Sequence, residues 1–184
     1  MAYVIHSINV TVTGSCHHED AVADEEHHRY ALDLLGSASS VLMGRNTFDI
    51  FASFWPDAVN RSDIPSYMNE FAAALDAKPK YVVSSRGVST EWKNTKVLRG
   101  PGLAEVRQFI GSTPGNVIVF GSPGLGTSLA AAGLVHEIHV VAQPFIGPAH
   151  VRAFQDLDAR KKLALVEARP FRSGAVLLRY QIET

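Results

Sequence analysis

Three short stretches carry residue types that can hold a phosphate. The first, Asn116-Val117-Ile118-Val119-Phe120-Gly121-Ser122-Pro123-Gly124-Leu125, passes from an apolar run into a glycine turn. Gly121 and Gly124 permit a sharp bend and let another molecule's atoms approach without meeting a Cβ. Leu125, Leu129 and Ala132 then recur at helical spacing, so a helix begins near Ser122 or Pro123. Its first N–H groups have no partner within the helix and attract an anion such as pyrophosphate. A strand-to-helix turn that binds nothing has the same local pattern, since glycine turns punctuate α/β chains generally. The other two stretches, Gly44-Arg45-Asn46-Thr47 and Ser84-Ser85-Arg86, set an arginine beside hydroxyls, a donor set suited to a phosphate monoester. Taken singly, each arginine also reads as a surface residue. Together the three loops suit a dinucleotide bearing a 2′-phosphate, with its pyrophosphate at the glycine turn.

A second group is Cys16-His17-His18-Glu19-Asp20 with His27 and His28. Soft and borderline metal ligands are present, but neither CxxC nor HExxH spacing accompanies them, so no metal is assigned. Because this loop leaves the first strand, His17 and Asp20 are candidate proton donors to a substrate. Trp55 is a candidate pocket wall, with core packing as its ordinary role. Ser122 lacks a GxSxG setting and is not read as a nucleophile.

The elements that must position these residues follow from periodicity. Strands are expected at 3–12, 39–43, 80–86, 96–98, 117–120, 134–141, 163–168 and 175–182, from β-branched and apolar runs bounded by turn residues. Helices are expected from Asp24 to Gly36, after Gly44, from Ile64 to Leu75, from Leu103 to Gly111, and after Ser122. Residues 54–63 read as a loop, as do Pro144 to Val151. Strands alternating with helices imply a mostly parallel sheet with right-handed crossovers and helices on both faces. The last two strands, joined at Arg172-Ser173-Gly174, add an antiparallel hairpin edge. The expectation is a three-layer αβα sandwich forming one domain over residues 1–184, with ligands collecting at the carboxyl ends of the strands.

Composition narrows the function classes. The 184 residues carry a net charge of −1, and the basic residues are scattered, so no nucleic-acid partner is expected. One cysteine, Cys16, excludes an internal disulfide and favours a reducing compartment. No apolar run approaches membrane-spanning length, and the first residues do not read as a secretion signal. A cytoplasmic protein without a membrane partner is expected.

The order and spacing of several motifs resemble the dihydrofolate reductase superfamily. Gly44-Arg45-Asn46-Thr47-Phe48, Tyr81-Val82-Val83-Ser84-Ser85-Arg86 and Val119-Phe120-Gly121-Ser122-Pro123-Gly124-Leu125 are similar to its NADPH-binding loops. Gly133-Leu134-Val135-His136-Glu137-Ile138, then Pro144, Gly147, Phe154 and the Arg172-Ser173-Gly174-Ala175-Val176 hairpin, resemble the branch containing the reductase domain of riboflavin biosynthesis. The resemblance spans nearly the whole chain. It implies a dihydrofolate-reductase-like fold, NADPH as cofactor and a homodimer. Arg45 and Thr47, with Gly44, would lie near the adenosine phosphates. Ser84, Ser85 and Arg86 would lie near the 2′-phosphate, and Gly121, Ser122, Gly124 and Leu125 near the pyrophosphate. Val10 and Thr13 would face the nicotinamide.

Departures from the family bear on the substrate. Thr11-Val12-Thr13-Gly14 stands where the family commonly has Ser-Leu-Asp-Gly, and Phe120-Gly121-Ser122 where the riboflavin reductases carry Glu-Gly-Gly. Both acidic groups that would meet a pyrimidine are absent, and such a change in polar partners alters specificity by orders of magnitude. Gly147-Pro148-Ala149-His150 also lacks the second family glycine. The resemblance therefore implies a reductase of a small conjugated or heterocyclic compound of the pterin or pyrimidine class, other than the riboflavin-pathway reductase. The rival is a nucleotide- or metabolite-binding protein that kept the fold and lost catalysis.

Overall fold

The computed structural model describes residues 1–99, 102–148, 151–155 and 157–183. Eight strands form one sheet: β1 (Tyr3–Thr11), β2 (Ala38–Gly44), β3 (Lys80–Val83), β4 (Thr95–Leu98), β5 (Asn116–Phe120), β6 (Glu137–Gln143), β7 (Leu163–Pro170) and β8 (Val176–Ile182). Their spatial order is β4-β3-β2-β5-β1-β6-β8-β7. The run from β4 to β6 is parallel, whereas β8 is antiparallel to both β6 and β7. The helices are α1 (Glu25–Ser37), α2 (Arg45–Ala52), α3 (Trp55–Ala58), α4 (Ser66–Ala77), α5 (Ala104–Ser112) and α6 (Pro123–Ala131), with a 3-10 turn at His18–Asp20.

Alternation along the strands divides the core between two faces. On one, Ile5, Val41, Met43, Val82 and Ile118 pack with Leu35 of α1, Phe48 of α2, and Phe71 and Leu75 of α4. On the other, Val4, Leu42, Val117, Val119 and Ile138 pack with Val106 and Ile110 of α5 and Leu129 of α6. The dihydrofolate-reductase-like sandwich with its antiparallel hairpin is thus realised.

Several boundaries differ from the sequence expectation for local reasons. Within 54–63, Trp55–Ala58 is helical, because Pro56 sits in the first turn, where its missing N–H costs nothing. α1 continues through Gly36 to Ser37. β6 begins at Glu137 rather than at 134, because Leu134 completes the end of α6. Gly133 takes φ 69°, its N–H bonds Ala130 O, and Leu134 N–H bonds Leu129 O, the paired bonds of a Schellman motif. In the loop after β6, Ala149 and His150 lie outside the described residues.

Candidate active site

β2 and β5 are neighbours, and each runs straight into a helix. α2 turns onto one face of the sheet and α6 onto the other, so a crevice opens where they part. The two helix starts hold each other. The backbone N–H of Gly44, the N-cap of α2, donates to Ser122 Oγ at 2.9 Å. The N–H of Ser122, the N-cap of α6, donates to Thr47 Oγ1, also at 2.9 Å. Gly121 and Ser122 both take left-handed φ values, 51° and 53°. That double bend aims the first turn of α6 at the first turn of α2. With the two N-cap donors satisfied, the next N–H groups, of Arg45 and Asn46 and of Gly124 and Leu125, have no carbonyl within their own helices, and all four residues line the crevice.

The crevice is the mouth of a cleft of ≈ 720 Å³. Away from the helix starts it is walled by rings. Trp55 and Phe71 meet edge-on at 4.8 Å between centroids, and His28 packs against both. Phe51 stacks on Phe120 at 6.1 Å. Ser7, Ile8 and Asn9 of β1 and Tyr30 of α1 also line the cleft. Among the described lining residues there is no aspartate or glutamate. Arg45 is half-exposed, tied loosely to Asp49 at 3.5 Å. Burial lowers the pKa of His27, although its ring contacts Val22 O at 3.2 Å.

Of the residues singled out from sequence, Gly44, Arg45, Thr47, Gly121, Ser122, Gly124, Leu125, His17 and Trp55 all line this cleft. Three of them have other work, Thr47 through the bond its Oγ1 accepts from Ser122 N–H. Ser122 Oγ, besides accepting from Gly44, donates to Phe120 O at 2.8 Å, so this hydroxyl joins the loops rather than reaching into the cleft. Trp55 both lines the cleft and packs against the core.

Six others fall outside the lining, each for a visible reason. Ser84 donates to Gly87 O at 3.1 Å and closes its own turn, while Ser85 and Arg86 are exposed one strand away, Val83 pairing with Gly44. Thr13 donates to Gly147 O at 2.9 Å. Val10 lies beyond the cleft because β5 stops at Phe120, opposite Ser7. The cleft therefore meets β1 at Ser7–Asn9, not at the strand's own end. Asp20 accepts from Ser15 Oγ at 2.7 Å. Among the described residues no group of three or more histidine, cysteine, aspartate or glutamate residues could hold a metal ion, and no helix is long and apolar enough to cross a membrane.

Sequence reasoning missed Ser7, Asn9 and Tyr30. For Tyr30 a signal was available, since it sits three residues after His27 on the same helical face. Ser7 carried none, because its neighbour across the sheet is set by register.

Comparison with known proteins fits this fold. The model of the RibD C-terminal domain family matches residues 2–177. The Bacillus subtilis protein YyaP is 27% identical over 149 residues, covering 80% of this chain and 76% of its own. Among solved structures, a putative riboflavin biosynthesis protein from Shewanella sp. PV-4 superposes with a TM-score of 0.72 at 16% identity over 99% of both chains. A pyrimidine reductase-like protein from Corynebacterium diphtheriae gives 0.67 at 13% identity, over 99% of this chain and 92% of that one. Acinetobacter baumannii RibD gives 0.73 at 12% identity, over all of this chain and 58% of that protein.

Proposed function

This chain belongs to the RibD C-terminal domain family, a family of reductase-like domains, and on that premise we propose that it is an NADPH-dependent reductase of a small, flat, conjugated or heterocyclic compound. The observation that carries the reading is the mutual capping of α2 and α6, which brings two helix N-termini and Arg45 to one end of an aromatic cleft. The residues present fit the cofactor. The remaining first-turn N–H groups of both helices would hold its pyrophosphate, and Arg45 would reach toward the 2′-phosphate of its adenosine half. Ser85 and Arg86, exposed at the next strand end, stand where an extended molecule leaving Gly44 would pass. Bound there, NADPH would supply a hydride.

The substrate end supports a ring held by faces and edges. Trp55, Phe71, Phe120 and Tyr30 offer apolar and stacking contacts. With no carboxylate among the described lining residues, a cationic or amidine-bearing ring would lose its partner, which favours a neutral or anionic compound within the pterin- or pyrimidine-like class over the riboflavin-pathway intermediate. The same missing carboxylate favours, as a second reading, a binding protein that kept the fold without catalysis.

Thermal denaturation with NADPH and NADH side by side tests the proposal. At a concentration about 100-fold above Kd, NADPH would add about 2.7 kcal/mol, or roughly 5–10 °C for a chain of this size, and NADH much less. No shift with either nucleotide would overturn the reductase reading in favour of the second.

A further inference from the structure

Behind the cleft lies a chain of buried polar groups that nucleotide binding does not use. Ser7 Oγ is 2.9 Å from Tyr30 Oη, Tyr30 Oη is 2.8 Å from His139 Nδ1, and His139 Nε2 is 2.7 Å from Glu137 Oε1. All four side chains are buried, yet Ser7 and Tyr30 line the cleft. The fold dictates the line-up. Glu137 and His139 are two residues apart on β6 and so share a face, Ser7 pairs with His139 across the β1–β6 ladder, and α1 lays Tyr30 over both.

The protons in this chain can be assigned from its charged end. Arg179 donates to Glu137 Oε1 through Nε at 3.0 Å and Nη2 at 2.9 Å, and through Nη1 to Glu167 at 3.0 Å. Tyr3 donates to Glu137 Oε2 at 3.3 Å. Burial works against ionisation of Glu137, but the hydrogen bonds from His139 and Arg179 outweigh it and hold the carboxyl below its usual pKa. An ionised carboxylate only accepts, so His139 Nε2 carries a proton; burial lowers the pKa of the ring, so the resting imidazole is neutral and Nδ1 is bare. Arg179 Nε, 3.3 Å from Nε2, is then a close neighbour rather than a donor to it. Tyr30 must donate to Nδ1, and Ser7 to Tyr30. Every hydrogen bond points the same way, from the cleft toward Glu137.

We infer that Ser7, Tyr30, His139 and Glu137 form a proton relay for the cleft, in which Tyr30 exchanges a proton with the reacting heteroatom of the ligand and the His139–Glu137 pair stores it. The direction of transfer rests on the reductase reading. Reduction starts from a second, loaded state, in which a proton taken up from solvent occupies His139 Nδ1, that N–H donates to the Tyr30 oxygen, and Tyr30 turns its own O–H toward the cleft. The Nδ1 proton passes to the Tyr30 oxygen as the Tyr30 O–H proton passes to the nitrogen or oxygen of a C=N or C=O bond. The electron pair of that double bond forms the new N–H or O–H bond, and the carbon takes up a hydride from a reduced nicotinamide, which is oxidised. Tyr30 begins and ends as a phenol, and His139 ends neutral and regains its proton from solvent. Burial raises the pKa of Tyr30, so a free tyrosinate is disfavoured and the two transfers go together. Facing His139 are Tyr30 from α1, Arg179 from β8, Glu167 from β7 and Glu137 on its own strand. Burial lowers its pKa, and Glu137 opposes that shift. The imidazole therefore gives up its extra proton readily.

A network that only fastened α1 to the sheet would show the same hydrogen bonds, so the test reads proton movement. The probe is 2,4-dinitrophenolate, a flat anion that mimics the negative charge developing on the heteroatom. It is added to the nucleotide-free protein at pH 7.5 and followed by calorimetry in buffers of different ionisation heat. To donate to the phenolate, Tyr30 must turn its O–H away from Nδ1, which then takes up a proton. The relay requires uptake of about one proton per probe bound, falling toward zero in Tyr30→Phe and in His139→Gln. In the unaltered protein, the ¹⁵N resonance of His139 Nδ1 should move from the unprotonated to the protonated range, a readout that needs no variant to fold. Equal proton uptake in the unaltered protein and Tyr30→Phe, an unchanged Nδ1 resonance, or no binding of the probe would each overturn the relay. Because no nucleotide is present, the outcome is independent of the NADPH melting experiment.

Discussion

The imidazole of His6 occupies the space that a side chain at position 126 would need. A Cβ built on Gly126 collides with the His6 ring, and His6 Nε2 lies 2.6 Å from Gly121 O, to which it donates. A buried residue of β1 thus pins the β5–α6 turn from beneath, and the glycine inside α6 is what lets the helix come down onto it. Gly126→Ala should cost about 1–3 kcal/mol of stability by overpacking, although alanine is the better helix former. Urea unfolding would measure the loss. A stabilised variant would show that the helix and the ring are not in contact.

His6 also makes stability depend on pH. It is fully buried, and burial lowers its pKa from 6.5 to about 4, only partly offset by the Gly121 carbonyl. The unfolded chain therefore binds a proton below pH 6.5 that the folded chain refuses until about pH 4. The contribution is fully present above pH 6.5 and lost as pH falls through that window, by up to about 3 kcal/mol. Burial lowers the pKa of His27 and His139 in the same direction and adds to the slope. Unfolding midpoints measured from pH 7.5 down to pH 4 should fall less steeply in His6→Gln than in the unaltered protein. Parallel curves would remove His6 from the account.

Arg45 should matter for the cofactor and little for the fold. Its contact with Asp49 is 3.5 Å between half-exposed side chains, so Arg45→Ala should change stability by less than about 0.5 kcal/mol. Loss of a charged donor to phosphate costs roughly 1.5–3 kcal/mol, a tenfold or greater loss of NADPH affinity. NADH affinity, measured by the same titration, should change much less. An equal loss for both nucleotides would detach Arg45 from the 2′-phosphate end.

Ser122 and Thr47 should act as a pair. Ser122→Ala leaves the Gly44 N–H without its acceptor, and Thr47→Val does the same to the Ser122 N–H. Each change should cost about 1–3 kcal/mol. Since both bonds join the same two helix starts, breaking one frees the other, and the double variant should lose less than the sum. Chemical denaturation of the four proteins of the cycle gives the coupling directly, and strict additivity would mean that the two caps are independent.

Local patterns carried much of the fold and part of the site. Val117–Phe120 before Gly121, the helical spacing of Leu125 and Leu129, and the arginine after β2 are properties of a few consecutive residues, and they located the cleft from the chain alone. Trp55–Ala58 reads as a loop from sequence because four residues are too few to show a period. Spacing groups Ser84 with Arg86 because both follow a strand, but the hydroxyl is used within its own turn, which spacing does not reveal.

The sequence by itself determined most of the segments that become strands and helices, because backbone periodicity and turn chemistry act over a turn or two of chain. It also set the residue types available at each strand end. The tertiary structure alone decided where the cleft meets β1, since that depends on β5 stopping opposite Ser7. It alone also joined Tyr30 to His139, 109 positions apart along the chain, because the register of β1 on β6 and the packing of α1 over both set which buried polar groups come within reach of one another.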